Sequence, residues 1–564
     1  MKRVTALSGF VLALLLWLAF ARAAMASSGP GQHYVVGFWQ SFSDSDNSSI
    51  RLEAVSDNFD VIIIAFGRPD NSSGDTAKIR FTPDPTVESA SDVIAAIGTL
   101  HSQGRKVLLS IGGSNTKVQL NTQTDLNNFV SSVASLINTY HLDGIDVDFE
   151  RGADGEESLK LDPGDNDFTH PTTPRVLNLI TALHTLRSMF GKAFLLTFSP
   201  STTYVQGGFH QYGYSASENI SYGAYLPVLN ACRDLIYLVQ PQLYDTGQKY
   251  GLDGHTYTPG TPDFAVAMGE FLLDGFQVAD VNSNFFAPLP ENEVSFGVLA
   301  YNTSYLGDTG YMTPADTLNA IQYLMTGRSF GGQYQLVNQA GYPYFSGVML
   351  WNANWDQKGN QNMSGTIASY LNSIPAESGL SPSSQNAGGP AFTLTVKGSH
   401  FDASSTAIWN GRALSTTYVS ETALKAAVPA SLISTPGKAS ITVVNGSSGL
   451  TSNGKTFTIL VTTLKLMGSQ LSHHTDGSYS ATVTLKNIGY LAAPNVTIKK
   501  ATLGAAATST TLPVGVGNMA AGSTHMASLA FPPSAGTSGS VVNLYLSGTF
   551  TGGTFAGSLR VALP

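Results

Sequence analysis

Three carboxylates fall at alternate positions in the segment Asp143-Gly144-Ile145-Asp146-Val147-Asp148-Phe149-Glu150. Read as a β-strand, the segment sends successive side chains to opposite faces. Ile145, Val147 and Phe149 then share an apolar face suited to packing beneath helices, and Asp146, Asp148 and Glu150 share the other. Carboxylates about 6–7 Å apart on one strand face repel, and burial sharpens the repulsion. Such a column is useful where one carboxyl has to hold a proton near neutral pH. Glu150, at the carboxyl end and nearest solvent, is the natural donor. The interleaved Ile, Val and Phe argue against a solvated acidic loop. An EF-hand loop wants a glycine at its sixth position and a glutamate at its twelfth; Val147 and the short spacing supply neither. Acid/base chemistry is the expected use, with a metal site for phosphoryl transfer as the remaining alternative.

The surrounding pattern shows what holds this strand. From about residue 33 to 373, apolar strand candidates alternate with helical periodicity, as βα units do. The strand candidates are Tyr34–Phe38, Val61–Phe66, Lys106–Ile111, Gly144–Glu150, Phe194–Phe198, Leu235–Gln240, Val294–Ala300 and Gly347–Trp351. Phe129, Val130, Val133, Leu136 and Ile137 recur at helical spacing, and so do Val176, Leu179, Ile180, Leu183 and Leu186. The fold class expected is α/β, a (β/α)8 barrel, whose active sites lie at the carboxyl ends of its strands. Glu150 falls at that end of the fourth strand.

At 564 residues the chain exceeds one ordinary domain. Hydrophobic residues make up 42% and charged residues 12%, with a net charge of −9 and no basic patch, which excludes nucleic acid as an expected partner. Lys2 and Arg3, then an apolar run from Val11 to Phe20 and small residues to Ala26, read as a secretory signal peptide over residues 1–26. The run is shorter than the roughly 20 residues a membrane anchor needs. The mature protein is expected outside the cytoplasm, extracellular or periplasmic, without a membrane anchor and as a monomer. Cys232 is the single cysteine, so no intramolecular disulfide can form; it reads as a small buried hydrophobe. No cofactor is implied. The His473-His474 pair lacks partners at ligand spacing and reads as surface.

Past Pro375 the texture changes to Ser, Gly, Thr, Ala and Val with short alternating strands, among them Phe392–Val396, Ala439–Val443, Tyr479–Leu485 and Val542–Leu546. The expected division is a catalytic domain over 27–375 and two small all-β, immunoglobulin-like sandwiches over 376–460 and 461–564.

Asp143, Asp146, Asp148 and Glu150 fit the D-x-x-D-x-D-x-E motif of glycoside hydrolase family 18, the retaining chitinases and their relatives, which the chain resembles. Ser110-Ile111-Gly112-Gly113 is similar to that family's S-x-G-G motif. Gln242-Leu243-Tyr244-Asp245 resembles its tyrosine-bearing segment, and Gly347–Trp351 its eighth-strand segment carrying the subsite-floor tryptophan. The resemblance implies a substrate-assisted mechanism, an exception to the two-carboxylate scheme. Glu150 would protonate the glycosidic oxygen while the substrate's own 2-acetamido oxygen attacks the anomeric carbon. Asp148 would orient the acetamido N–H, Asp146 would share a proton with Asp148, Tyr244 would hydrogen-bond the acetamido group, and Trp351 would floor the distorted sugar. Substrate contacts are implied at Gln242, Asp245, Ser110, Gly112 and Gly113. Trp39, near the end of the first strand, is a further stacking candidate, since sugar faces pack on tryptophan. The implied partner is chitin or N-acetylglucosamine oligosaccharides; an endo-β-N-acetylglucosaminidase on glycoprotein glycans and an inactive chitin-binding barrel are the alternatives. After the fifth strand, relatives often carry Met-Ala-Pro-Glu where this chain has Phe198-Ser199-Pro200-Ser201, which puts a substrate-contacting position in question. The connection from about Tyr301 to Ser346 has room for one helix around Pro314–Met325, so a shallow, open cleft with endo-type cleavage is expected. Thr393–Ile459 resembles an IPT/TIG domain; with one tryptophan, Trp409, in the C-terminal half, a spacer role is expected there.

Overall fold

A computed structural model describes residues 33–42, 49–70, 74–303 and 310–564 of the chain, the side chain of Asn282 apart. The expected signal peptide lies outside the described residues. The chain forms two compact units, residues 1–376 and 377–564.

In the first unit, eight parallel strands make a barrel. They are β1 (Tyr34–Gln40), β2 (Val61–Asp70), β3 (Lys106–Gly112), β4 (Gly144–Asp148), β5 (Leu195–Phe198), β6 (Leu238–Val239), β7 (Ser295–Leu299) and β8 (Gly347–Trp351). Hydrogen bonding runs in the order β7-β8-β1-β2-β3-β4-β5-β6, and parallel bridges Val239–Val294 and Gln242–Gly297 close the ring between β6 and β7. The principal helices are α1 (Ala90–Ser102), α2 (Gln123–Tyr140), α3 (Pro174–Phe190), α4 (Leu226–Ala231), α5 (Pro262–Asp274), α6 (Pro314–Thr326), α7 (Ala353–Lys358) and α8 (Asn362–Leu371). Their starts are written in the sequence. Ser89 with Asp92, and Thr122 with Asp125, form capping boxes that satisfy the first free N–H groups of α1 and α2.

Alternation decides what faces where. Val36, Phe38, Ile63, Ala65, Leu108 and Met349 fill the barrel interior. Ile62, Ile64, Val107, Leu109, Ile145 and Val147 face outward and are fully buried by the rest of the unit. Four strands are shorter than expected; β5 lacks Phe194, and β7 lacks Val294 and Ala300. β4 ends at Asp148, two residues before Glu150. β6 is two residues long: Leu235 still belongs to the turn after α4, its N–H on the Cys232 carbonyl, and at the other end Pro241 has no N–H to give a ladder, so pairing resumes only as single bridges at Gln242.

The second unit holds two β-sandwiches, each with its own core. One core gathers Leu394, Val396, Trp409, Ile441 and Phe457. The other gathers Val483, Leu485, Ile498, Leu529, Phe531 and Leu546. The strand Tyr479–Asn487 alternates buried and half-exposed residues without a break, the period-two pattern its sequence carries. Among the described residues no helix is long and apolar enough to cross a membrane. Cys232 is free and fully buried, and burial pushes its thiol up to about 12.

Candidate active site

The strand carrying the carboxylates is fixed at its start. A side chain on Gly144 would collide with the backbone of Leu195, with a Cβ 1.9 Å from its carbonyl oxygen, so β4 and β5 can approach only through a glycine. Asp143 does not join the column. Its carboxylate accepts from the Val107 amide at 2.8 Å and from Lys106 Nζ at 3.1 Å, with the His101 ring at 2.8 Å, tying the strand entrance to β3 and α1.

Asp146 and Asp148 are buried inside the barrel, and Glu150 is half-buried at its mouth. Register surrounds Asp146 with hydroxyls: Ser110 pairs with it across β3 and Thr197 across β5. Ser110 Oγ donates at 2.7 Å, Thr197 Oγ1 at 2.7 Å and Ser199 Oγ at 2.8 Å. Gln240 Nε2 in turn donates to Ser199 Oγ at 3.1 Å. Burial raises the Asp146 pKa and these donors pull it back. Asp148 has one such donor. Gln242 Nε2 reaches Asp148 Oδ1 at 3.0 Å, Glu150 Oε1 at 3.3 Å and the Ser199 carbonyl at 2.9 Å. Burial, then the charges of Glu150 and Asp146, push Asp148 well above the usual carboxylate range. Glu150 is raised as well, chiefly by burial. Asp148 and Glu150 are thus both raised and take a hydrogen bond from the same Gln242 Nε2, beside an Asp146 supplied with three hydroxyl donors.

The neighbours fix where this pair sits. The Phe149 amide donates to Tyr225 Oη at 2.6 Å, clamping the chain between Asp148 and Glu150. Gly112 lies so close to β4 that a Cβ would stand 2.2 Å from the Asp148 carbonyl oxygen, and the Gly113 amide donates to that oxygen at 2.8 Å. A Cβ on Gly113 would meet the Phe66 ring at 2.8 Å. Tyr244 is buried; burial, then the charges of Asp148, Glu150 and Asp146, raise its pKa strongly. Trp351 is half-exposed at the end of β8 and packs on Phe38, ring centres 5.4 Å apart, and on Phe66, 5.7 Å apart with planes at 20°.

Asp146, Asp148, Glu150, Gln242, Tyr244 and Trp351 thus gather at one barrel mouth. Four expected contacts need correction. Trp39 is fully buried, its indole N–H donating to the Ile50 carbonyl at 2.9 Å, so it is a core residue. Ser110 is also fully buried and its hydroxyl is committed to Asp146. Gly112 and Gly113 serve by lacking a side chain against β4 and Phe66 and are themselves covered. Asp245 needs none: it is exposed, with left-handed backbone at φ 48°, and its charge acts on Glu150. Sequence reading missed Thr197, Gln240, Tyr225 and Phe66, and passed over Ser199 except as a departure from a motif. Among the described residues no group of three or more His, Cys, Asp or Glu has metal-holding geometry.

The arrangement can deliver a proton from a half-buried acid while keeping negative charge beneath an apolar ring floor. Comparison with known proteins agrees with that chemistry. Residues 34–231 match the family described as glycosyl hydrolases family 18, and residues 375–459 match the IPT/TIG domain. Chitinase Chi52 of Paenibacillus xylanexedens is 41% identical over 355 residues, 62% of this chain and 64% of that protein, so the match spans less than two thirds of that relative. A protein of Arthroderma benhamiae named "Probable class II chitinase" is 40% identical over 57% of this chain and 95% of its own length. The crystal structure of a family 18 chitinase from Chromobacterium violaceum superposes with a TM-score of 0.53 at 32% identity, covering 61% of this chain and 84% of that one. With 40% identity across nearly the whole of one relative, and a carboxylate column at the mouth of a (β/α)8 barrel, the chain belongs to glycosyl hydrolases family 18.

Proposed function

We propose that this chain is a secreted chitinase that hydrolyses β-1,4 linkages between N-acetylglucosamine units by a retaining, substrate-assisted mechanism. The observation that carries the proposal is the column itself: Asp148 and Glu150 both take a hydrogen bond from Gln242 Nε2 at the barrel mouth, above an Asp146 bound by three hydroxyls. Glu150 gives its proton to the glycosidic oxygen as that bond breaks. The substrate's acetamido oxygen attacks the anomeric carbon, and Asp148, turned toward the acetamido N–H, stabilises the oxazolinium that forms. Asp146 and Asp148 share a second proton in the resting site, and it passes to Asp146 as Asp148 turns, so charge moves along the column without leaving the barrel. Water then opens the oxazolinium with Glu150 as base, giving overall retention. Tyr244 steadies the acetamido group and Trp351 floors the distorted sugar.

The wider reading has its own supports. Lys2, Arg3 and the apolar run from Val11 support export. Between β7 and β8 the described residues hold one helix, α6, which favours an open cleft and endo-type cleavage. Trp409 is buried against Phe457, ring centres 5.1 Å apart, so it offers no stacking face and a spacer role for the sandwiches is favoured. The protein is taken to act as a monomer.

The test is digestion of N-acetylglucosamine oligomers and colloidal chitin by the wild type and Glu150→Gln, with product anomers followed by NMR. Initial β-anomers and a loss of on the order of 10²–10⁴-fold in kcat for the variant are expected. Initial α-anomers would overturn the retaining mechanism. Wild-type inactivity with oligomer binding would point to a lectin, and inactivity without binding to glycoprotein glycans.

A further inference from the structure

The ring floor continues past Trp351. The Phe66 ring lies nearly parallel to the indole, at 20°. Beyond it, the Arg68 guanidinium sits over two rings, 5.4 Å from the centre of Phe66 and 5.8 Å from that of Phe42. Trp351 ends β8, Phe42 lies two residues past β1, and Phe66 and Arg68 lie in β2 just beyond its last pair with β1, Ala65 with Gln40; the three strands are hydrogen-bonded neighbours, so these residues form one strip on the carboxyl face of the barrel. Phe42 and Phe66 are half-buried and Arg68 is exposed.

A β-bulge makes the strip. Register between β2 and β3 shifts between Ala65 and Gly67, and Phe66 is the extra residue. Simple alternation from Ile63 and Ala65 would send Phe66 outward; the bulge turns its ring onto Trp351 and leaves Arg68 following it along the rim. The guanidinium has five donors and no acceptor capacity. Here it contacts two ring faces and, among the described residues, no carboxylate. Ring faces beside a fan of donors match a pyranose: its apolar C–H face lies on rings, and its hydroxyl and acetamido oxygens accept at the edge.

We propose that Arg68, clamped between Phe42 and Phe66, is a specificity-determining residue that hydrogen-bonds an N-acetylglucosamine unit beyond the one seated over Trp351. The inference rests on the chitinase reading, and its occupant is the non-reducing extension of the same chain. Around the barrel the strip, on β1 and β2, lies across β8 from Gln242, which follows β6, and we assign it to the glycon side rather than to the leaving group.

Aryl β-glycosides with one leaving group and glycons of one to four N-acetylglucosamine units isolate this side of the site. In the wild type kcat/KM rises with glycon length. In Arg68→Ala the gain on passing from one unit to four shrinks about tenfold, through KM, the loss of one charged hydrogen-bonding group. Phe42→Ala shrinks it in the same direction. An unchanged length dependence in both variants, or a loss equal at every length, would overturn the inference while leaving the chitinase reading intact. Wild-type inactivity on every glycon would overturn both.

Discussion

Asp148 and Glu270 are both carboxylates buried in the first unit, and they are treated in opposite ways. Glu270, on α5, accepts from Tyr334 Oη and Tyr342 Oη at 2.7 Å each, and from the amides of Val337 at 3.1 Å and Asn338 at 3.2 Å. Every lone-pair direction meets a donor, and the result pins the segment after α6 to the barrel wall. Asp148 has Gln242 alone at 3.0 Å, with two further carboxyls as its charged neighbours. Burial raises both groups, but four donors counter it at Glu270, whereas neighbouring charge adds to it at Asp148. A fully satisfied buried charge holds structure. An under-satisfied one, next to like charge, stores a proton for use.

Exchanging each carboxyl for its amide should separate the two roles. Asp148→Asn keeps Oδ1 for Gln242 and removes the repulsion. We expect kcat to fall on the order of 10²–10³-fold, since negative charge at the developing cation is lost, with no drop in melting temperature. Glu270→Gln should do the reverse. One of its oxygens becomes a donor facing a tyrosine O–H and an amide N–H, at a cost of about 2–4 kcal/mol of stability by urea titration. Its kcat per folded molecule should stay near wild type. A stability loss in Asp148→Asn as large as that of Glu270→Gln would erase the distinction between them.

How much of this was legible in the sequence differs strand by strand. The column on β4 reads out because one strand's period of two fixes all three carboxyls relative to one another. The same rule, applied to β1, excludes Trp39: Val36 and Phe38 face the interior, so Trp39 faces out and is covered by the rest of the unit. Phe66 escapes the rule in the other direction, because a bulge reverses its parity and nothing in Ala65-Phe66-Gly67 announces it beyond the glycine. Thr197 and Gln240 were out of reach for a third reason. Which residue of β5 or β6 stands beside Asp146 depends on the stagger of the closed barrel, a relation between strands that alternation within one strand does not contain. The (β/α)8 class itself follows from the alternation of apolar strands and helical stripes. The start of β6 does not, because the turn after α4 takes Leu235, the first residue of an otherwise apolar run.

The smallest expected effect sharpens the comparison through pH. A carboxyl whose pKa is raised in the folded state binds more protons there than in the unfolded chain, so stability falls as pH rises from the unfolded value of about 4 through the folded one. Asp148 is raised well above its usual range, so its contribution is fully present in acid and lost toward neutrality. Asp148→Asn deletes that contribution and leaves the other raised groups in place, including Glu293 at about 7 and Glu377 at about 8. These appear in both proteins and cancel in the difference. The urea midpoint of the wild type should therefore decline relative to Asp148→Asn between pH 4 and pH 8, read on the transition followed by the barrel tryptophans. Parallel midpoints across that range would mean that Asp148 is charged in the resting protein, with the proton of the pair on Glu150 alone.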